Sequence, residues 1–419
     1  MKFFSVMYQT SNSKGQELLA QRMVKWAIRL GYRAWLVTSV YHDGEEVVRR
    51  RALELSEKGF LIYDEDPKVG IPTVRVRSTK VLWPPRRIYF RDLIEVLRSL
   101  DSEIGVDFIV THSTLWNGPE EVARWVLWKK LATDIGEPTR RTVFAHMSHY
   151  QPPDPTRYSP VERAFRMAWN LTALHSIFKA ADLIICLTDL ERADMLTLGA
   201  RPEQIHLFPG GLDDDEASMI DRADPSLFRD KFKIPEDKLI VSYLGTVEVR
   251  KNPLAVVRVA KRLRKLSNVV FVIAGKPGDQ WEDVVRESKG LGNIVLTGEL
   301  STDLKTSLIR ASYLNIIMSR LEAFGLTQLE FMYGGVPVVT SATYGQRWLI
   351  RNGVDGIHVN GPDDIDGAAK AVETLVQDPS KRDEMGRNAR ERAQLFLASK
   401  LVKELLERAS KIASLGLPK

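Results

Sequence analysis

Two glutamates, Glu322 and Glu330, flank a glycine-containing turn in the stretch LEAFGLTQLEFMYGGVPVVT. The pattern predicts a strand over 314–319 and a helix over 326–333. Residues 324–327 would then lie at a helix N-terminus, where unpaired amides and the helix dipole favour a phosphate. Ionised carboxylates accept hydrogen bonds from hydroxyl groups. We therefore expect a ligand with hydroxyl groups on both sides of phosphates, such as a sugar nucleotide, although an isolated pair of glutamates is equally typical of a solvated helix.

Two adjacent cations, Arg250 and Lys251, follow a glycine turn in LGTVEVRKNP (244–253). A departing nucleoside diphosphate develops negative charge, and fixed cations stabilise it. Such a pair taken by itself is more typical of a solvated surface. Its position directly after a predicted strand and glycine turn favours a role in binding the diphosphate instead.

The elements around these residues alternate between buried strands and helices, which is typical of doubly wound α/β sheets. The predicted strands are 3–8, 34–39, 107–112, 142–146, 182–188, 239–245, 269–275, 293–298, 314–319 and 336–341. Predicted helices include 18–30, 119–131 and 254–266, and a long charged helix is predicted over roughly 383–413.

The alternation is interrupted near residue 209 by the acidic stretch PGGLDDDEASMIDRADPS, which predicts a linker. The run Asp213, Asp214 and Asp215 is assigned to that linker rather than to a metal site. The predicted domains are residues 1–213, 214–395 and a terminal helix at 396–419. Ligands of open α/β sheets bind at the carboxyl ends of the strands, so a cleft between two such domains is the expected site.

The motifs together resemble the retaining glycosyltransferases of the family 4 type, which have the GT-B fold. SRLEAFGLTQLEFMYGGVPVVTS is similar to the motif that characterises this family, PGGLD (209–213) to the end of its first domain, and LGTVEVRKNP to its phosphate-binding loop. The stretch ADLIICLTDLERADM (181–195) is similar to a strand and helix of the family. The resemblance implies an α/β GT-B fold, with two Rossmann-like doubly wound domains facing a central cleft and a terminal helix that crosses back to the first domain.

The resemblance also implies roles for individual residues. The implied catalytic residues are His146, Arg250, Lys251 and Glu322. The implied donor-binding residues are Gly15, Gly245, Thr246, Gly275, Phe324, Gly325, Leu326, Thr327 and Glu330. Glu330 would hold the ribose hydroxyls, Glu322 would contact the donor sugar, and Lys251 with Arg250 would neutralise the leaving diphosphate.

Two positions depart from the family pattern. Many members have an arginine directly after the glycine of the phosphate loop, where this chain has Thr246, and Arg250 is expected to substitute for it. The family commonly has several glycines after the first strand, where SNSKGQ (11–16) offers only Gly15. The other implied residue of the first domain, His146, ends a predicted strand, near which the family places donor sugar and acceptor. His149 follows, but no further His or Cys completes a metal site.

We therefore predict transfer of a hexose from a UDP- or GDP-linked sugar to a sugar, glycan or lipid-linked acceptor, without cofactor or metal. A nucleotide-sugar epimerase of the same fold and a non-catalytic basic membrane-surface adaptor stay open as alternatives. Segments 81–90 and 124–130 mix Trp with Arg and Lys, which suits a membrane interface, a sugar-stacking surface or simple packing.

Composition narrows the class of protein. With 44 % hydrophobic and 27 % charged residues, the 419-residue chain is expected to be globular, and no apolar run is long enough to span a membrane. The single cysteine, Cys186, excludes an intrachain disulfide, so a cytoplasmic location is expected, with peripheral membrane contact left open. The net charge of +6 is spread along the chain without a recognition motif, so no nucleic acid partner is predicted.

Overall fold

The computed structural model describes residues 1–12, 14–48, 59–81, 87–114, 116–137, 139–150 and 158–415. Parts of the predicted segments 11–16 and 81–90, residues 13 and 82–86, therefore lie outside the described residues. Within the described residues, no helix combines the length and the apolar character needed to cross a membrane.

The described strands are β1 (Lys2–Met7), β2 (Arg33–Ser39), β3 (Tyr41–His42), β4 (Glu45–Glu46), β5 (Phe60–Tyr63), β6 (Thr73–Val76), β7 (Ser78–Val81), β8 (Arg87–Phe90), β9 (Phe108–His112), β10 (Val143–Met147), β11 (Leu183–Cys186), β12 (Ile205–Leu207), β13 (Leu239–Leu244), β14 (Val269–Ala274), β15 (Ile294–Gly298), β16 (Ser312–Ile317), β17 (Val338–Thr340) and β18 (Gly356–His358).

The described α-helices are α1 (Gly15–Arg29), α2 (Leu93–Glu103), α3 (Gly118–Asp134), α4 (Pro160–Ala180), α5 (Asp189–Thr197), α6 (Asp214–Arg222), α7 (Pro225–Phe232), α8 (Pro253–Arg262), α9 (Trp281–Ser288), α10 (Thr302–Ala311), α11 (Leu326–Tyr333), α12 (Gly345–Leu349), α13 (Ile365–Gln377), α14 (Pro379–Gln394) and α15 (Ala398–Ser414).

The chain divides into two compact units. Unit 1 comprises Met1–Pro209 and Ala398–Lys419, and unit 2 comprises Gly210–Leu397. The division falls four residues before the predicted boundary at 213/214, and the terminal segment leaves unit 2 at residue 398 rather than 396.

Unit 1 is built on one large sheet with the order β12-β11-β10-β9-β1-β2-β6-β5. Neighbouring strands are parallel except β5, which pairs antiparallel with β6. The central strands are apolar and buried on both faces, as expected when helices cover both sides of a parallel sheet.

Unit 2 repeats this architecture with a parallel sheet of order β15-β14-β13-β16-β17-β18. Every residue of β14, VVFVIA, is buried. Because β14, β13 and β16 are neighbours, the loops that follow their carboxyl ends lie side by side along one edge of the sheet. These are the loops that contain the predicted donor-binding motifs.

The predicted strands are all present, with ends shifted by up to two residues. The pattern missed eight of the described strands, each only two to four residues long: β3, β4, β5, β6, β7, β8, β12 and β18. The prediction of helix 326–333 is confirmed by α11, whereas α8 ends four residues before the predicted end of helix 254–266.

The predicted linker after residue 209 is wrong over much of its length, because residues 214–222 form α6. Asp213 caps this helix, and its Oδ1 accepts a hydrogen bond from the Asp215 amide at 3.1 Å. The acidic residues of the first turn are favoured by the helix dipole, and Ala217 and Ile220 are buried. Acidic composition had suggested a loop, but it suits a helix N-terminus equally well.

The single long helix predicted at the end of the chain is also wrong. It is interrupted at residues 395–397 between α14 and α15, which belong to different units. At the interruption the Leu212 amide donates to the Phe396 carbonyl at 2.8 Å, and Leu397 forms a bridge with Leu212.

Candidate functional site

The glycines that directly follow β13 and β14, Gly245 and Gly275, lie in contact with each other. The Gly245 amide donates to the Ala274 carbonyl at 3.0 Å, and Gly275 has a φ of +142°. A Cβ atom at Gly275 would lie 1.9 Å from the Gly245 carbonyl oxygen. Only glycine therefore permits this approach, which fixes where the loop after β13 begins.

The loop after β13 then folds into a turn that carries the two predicted cations. The Thr246 carbonyl accepts a hydrogen bond from the Tyr243 hydroxyl at 2.9 Å. The Lys251 amide donates to the Glu248 carbonyl at 2.9 Å. Asn252 has a φ of +52°, and Pro253 follows as the first residue of α8. Arg250 and Lys251 thus lie between the end of β13 and the start of α8.

These cations meet Glu322, although the residues are about 70 positions apart in the sequence. The Lys251 ammonium donates directly to Glu322 Oε1, and an Arg250 guanidinium nitrogen lies 3.8 Å from the same oxygen. Only 8 % of the Glu322 side chain is exposed, so its charge is largely removed from water and is balanced by these cations.

Arg250 is itself fixed by several partners. Its guanidinium donates to Glu248 Oε1 at 2.6 Å and to the Leu321 carbonyl at 3.2 Å. Its own carbonyl accepts from the Arg320 amide at 2.8 Å. The phosphate loop and the segment before α11 are therefore joined by backbone as well as side-chain contacts.

The N-terminus of α11 is formed by Gly325, which has a φ of +108°. The helix begins at Leu326, and the Leu329 amide donates to the Gly325 carbonyl at 3.0 Å. Among the described residues, the backbone amides of Gly325, Leu326 and Thr327 have no hydrogen-bond acceptor. These donors and the positive end of the helix dipole make the turn suitable for an anion.

Aromatic side chains pack against one another next to this turn. Phe324 is buried and packs edge-on against Phe396, with ring centroids 6.3 Å apart, and Trp348 lies 6.1 Å from Phe324. The Gly345 amide donates to the Glu322 carbonyl at 3.0 Å. The turn is thus held against a packed cluster rather than left as an independent loop.

Glu330 lies in the middle of α11 with 9 % of its side chain exposed. Its Oε1 is 3.1 Å from the Lys305 ammonium, which belongs to α10. Lys305 is also 3.7 Å from Glu216 Oε1, on the first turn of α6. No sequence pattern indicates Lys305, because its helix contains no recognisable motif and a spacing of 25 residues from Glu330 does not predict a contact.

The structure brings together, within unit 2, the predicted residues of the three loops and of α11. His146 and Gly15 lie in unit 1. Gly15 is the first residue of α1, and the Lys14 amide before it donates to Ser11 Oγ at 3.0 Å.

His146 is fully buried on β10, and its Nδ1 lies 2.9 Å from the Thr111 hydroxyl. Burial lowers the pKa of His146 to about 3, so its imidazole is neutral at physiological pH. Its Nε2 atom is buried without a hydrogen-bond partner among the described residues. A neutral imidazole with one unused nitrogen can donate to or accept from a ligand group.

Two more histidines lie near this strand. His112 Nδ1 is 3.3 Å from His149 Nε2, and burial lowers the pKa of His149 to about 3. Among the residues that the structure describes, no group of three or more His, Cys, Asp and Glu side chains is arranged to hold a metal ion.

Two family models match the chain and together span both units. The model described as Glycosyltransferase Family 4 matches residues 13–216, and the model described as Glycosyl transferases group 1 matches residues 225–392.

Curated relatives cover less of the chain. D-inositol 3-phosphate glycosyltransferase of Kribbella flavida is 28 % identical over 246 residues, which are 54 % of this chain and 56 % of that protein. The protein of the same description from Mycobacterium tuberculosis (strain F11) is 32 % identical over 206 residues, 47 % of this chain and 41 % of that protein. The chain thus spans about half the length of the curated relatives it matches.

Solved structures match over nearly the whole chain. Sucrose-phosphate synthase of Thermosynechococcus elongatus has a TM-score of 0.71 at 18 % identity, covering 99 % of this chain and 100 % of that one. Anabaena HepE, solved in complex with UDP, has a TM-score of 0.69 at 19 % identity, covering 98 % and 100 %. At such identities the likeness shows the fold alone. Together with the two family models, it shows that the chain belongs to the glycosyltransferases of the family 4 type and has their GT-B fold, with two Rossmann-like domains.

Proposed function

We propose that the protein is a retaining glycosyltransferase that moves a hexose from a UDP- or GDP-linked sugar to a sugar, glycan or lipid-linked acceptor without a metal ion. The observation that carries the proposal is the arrangement around α11. Two buried glutamates, Glu322 and Glu330, flank the N-terminus of this helix, and a lysine contacts each carboxylate. Anabaena HepE, which has this fold, was solved with UDP-glucose bound, and this supports a uridine nucleotide as one candidate.

The diphosphate of the donor is proposed to lie on the amides of residues 324–327. The helix dipole and Lys251 then face it from fixed positions, and Arg250 supplies the charge that an arginine at Thr246 would otherwise give. Glu330 accepts from the ribose hydroxyls and Glu322 contacts the donor sugar. Lys251, which contacts Glu322 in the structure, is thereby within reach of both the sugar and the phosphate regions.

In the proposed reaction, the bond between the sugar C1 and the oxygen of the terminal phosphate breaks. The electron pair stays on the diphosphate, whose charge Lys251 and Arg250 stabilise. The acceptor oxygen attacks C1 from the same face, and its proton passes to the departing phosphate oxygen. His146 of unit 1, buried and neutral, is proposed to hydrogen-bond the acceptor through Nε2.

The acceptor is proposed to bind on unit 1. Trp128 and Leu131 project from α3 with 45 % and 59 % of their surface exposed, and this supports contact with an apolar or membrane-bound acceptor. Trp125 of the same segment is buried in the core of unit 1 and has a packing role.

The test measures nucleoside diphosphate release from UDP-, GDP- and ADP-sugars by the native chain, Glu330→Ala and Glu384→Ala. Glu384 is an exposed glutamate of α14 and serves as the matched control. We expect release from one donor, with the donor KM of Glu330→Ala raised about ten- to hundredfold because hydrogen bonds to a charged group are lost. Glu384→Ala should behave like the native chain.

Three outcomes would contradict the proposal. Equal kinetics of Glu330→Ala and the native chain would remove Glu330 from the donor site. Conversion of a donor to its epimer without acceptor would indicate an epimerase. Absence of any thermal stabilisation by free nucleoside diphosphates would favour a non-catalytic adaptor.

A further inference from the structure

Lys305 links three helices of unit 2 at the glutamate proposed to bind ribose. Its ammonium lies 3.1 Å from Glu330 Oε1 on α11 and 3.7 Å from Glu216 Oε1 on α6, while Lys305 itself belongs to α10. The Lys305 and Glu216 side chains are 23 % and 25 % exposed, in contrast to 9 % for Glu330. Water therefore reaches the lysine and Glu216 much more than Glu330.

A carboxylate as buried as Glu330 needs compensation for its lost hydration. Lys305 supplies a full positive charge within hydrogen-bond distance of one carboxylate oxygen. Since Glu216 shares the same ammonium, the lysine is held between two carboxylates rather than being free to rotate. The Lys305 ammonium therefore stabilises the negative charge of Glu330 and favours one direction of its carboxylate.

The ribose contact proposed for Glu330 needs these two properties. A hydroxyl group donates strongly only to an ionised carboxylate, and the bond is sensitive to the direction of the acceptor. We propose that Lys305 is a positioning residue, which holds the Glu330 carboxylate charged and oriented for the ribose hydroxyls of the donor. This inference rests on the proposed function and adds to it a residue that belongs to none of its sequence motifs.

The experiment compares ribonucleoside diphosphates with their 2′,3′-dideoxy analogues, measured by titration calorimetry on the full chain. For the native chain we expect the dideoxy analogue to bind about ten- to hundredfold more weakly, which corresponds to the loss of hydrogen bonds to a charged acceptor. For Lys305→Met we expect the affinity for the ribonucleotide to fall, so that the dideoxy analogue binds less than about threefold more weakly than the ribonucleotide.

Two further variants of α10 complete the set. Lys305→Arg keeps the cation and should keep a ratio of at least about tenfold. Arg310→Met removes an exposed cation from the same helix and should leave the ratio at the native value. If Lys305→Met does not fold, Lys305→Gln supplies the comparison, since it keeps a donor but removes the charge.

The outcomes separate this inference from the proposed function. A native ratio in Lys305→Met, or equal weakening of both nucleotides, would overturn the positioning role and leave the proposed function standing. If the native chain bound neither UDP nor GDP, the proposed function would fail and this inference with it. The positioning role of Lys305 would be established if the ratio of the dideoxy to the ribonucleotide dissociation constant is strongly reduced in Lys305→Met and is close to the native value in Lys305→Arg.

Discussion

The contact between Gly245 and Gly275 can be tested by adding one methyl group. Gly275→Ala places a Cβ atom 1.9 Å from the Gly245 carbonyl oxygen, and the backbone there has a φ of +142°. Gly290 is a matched control in the same unit, because it also has positive φ, +79°, but has open space around its Cβ position. Gly290→Ala therefore measures backbone strain alone, and Gly275→Ala measures strain together with the overlap.

Backbone strain of this kind costs about 1–2 kcal/mol for a residue with a Cβ atom. Overpacking adds about 1–3 kcal/mol, and here the neighbouring atom is backbone, which cannot rotate away. We therefore expect Gly275→Ala to cost roughly 2–5 kcal/mol and Gly290→Ala roughly 1–2 kcal/mol. For a unit of this size, each kcal/mol lowers Tm by about 2–4 °C.

The assay is thermal unfolding followed by circular dichroism, combined with titration of a nucleoside diphosphate. Gly275→Ala should unfold several degrees below Gly290→Ala and should also bind the nucleotide more weakly, because the start of the Arg250–Lys251 loop is displaced. If the two variants lowered Tm equally and kept native affinity, the argument that this close approach positions the phosphate loop would be refuted.

Two further predictions concern His146 and Phe396. Burial lowers the pKa of His146 to about 3, whereas an unfolded histidine titrates near 6.5, so the unfolded state binds the extra proton and stability falls as the pH drops below about 6.5. At pH 5 this protonation lowers the free energy of unfolding by about 2 kcal/mol. We expect the difference in unfolding free energy between pH 7 and pH 5 to be smaller by this amount in His146→Gln. An unchanged difference would show that His146 is not the group responsible. Phe396→Ala should cost unit 2 about 3–5 kcal/mol and weaken nucleotide binding, because Phe324 loses its edge contact. Leu395→Ala is the control, since Leu395 is 51 % exposed and should change stability by less than about 0.5 kcal/mol; equal losses in a denaturant titration would contradict the packing role.

Local sequence patterns predicted much of unit 2 correctly. The strand before Glu322 and the helix over 326–333 followed from periodicity, and their order placed Glu322 and Glu330 on either side of a helix N-terminus. These predictions succeeded because short apolar runs and glycine turns depend mainly on neighbouring residues.

The predictions failed where the same amino-acid composition is typical of two different kinds of local structure. The acidic run after Asp213 resembled a linker, yet it caps and begins α6, whose Ala217 and Ile220 are buried against other elements. The terminal helical pattern continued through residue 395, yet the helix is interrupted there because α14 and α15 pack in different units. Hydrophobic periodicity shows which face of a helix is apolar, but it does not show which unit of the protein packs against that face.

The sequence by itself determined the residue types at the carboxyl ends of the strands: the glycines 245 and 275, the pair Arg250 and Lys251, and the two glutamates. Tertiary structure alone decided which cation serves which carboxylate. Lys251 contacts Glu322 across 71 positions of sequence, and Lys305 contacts both Glu330 and Glu216. An ion pair requires two groups within about 4 Å, and elements far apart in the chain reach that distance only when the sheet and its helices have packed.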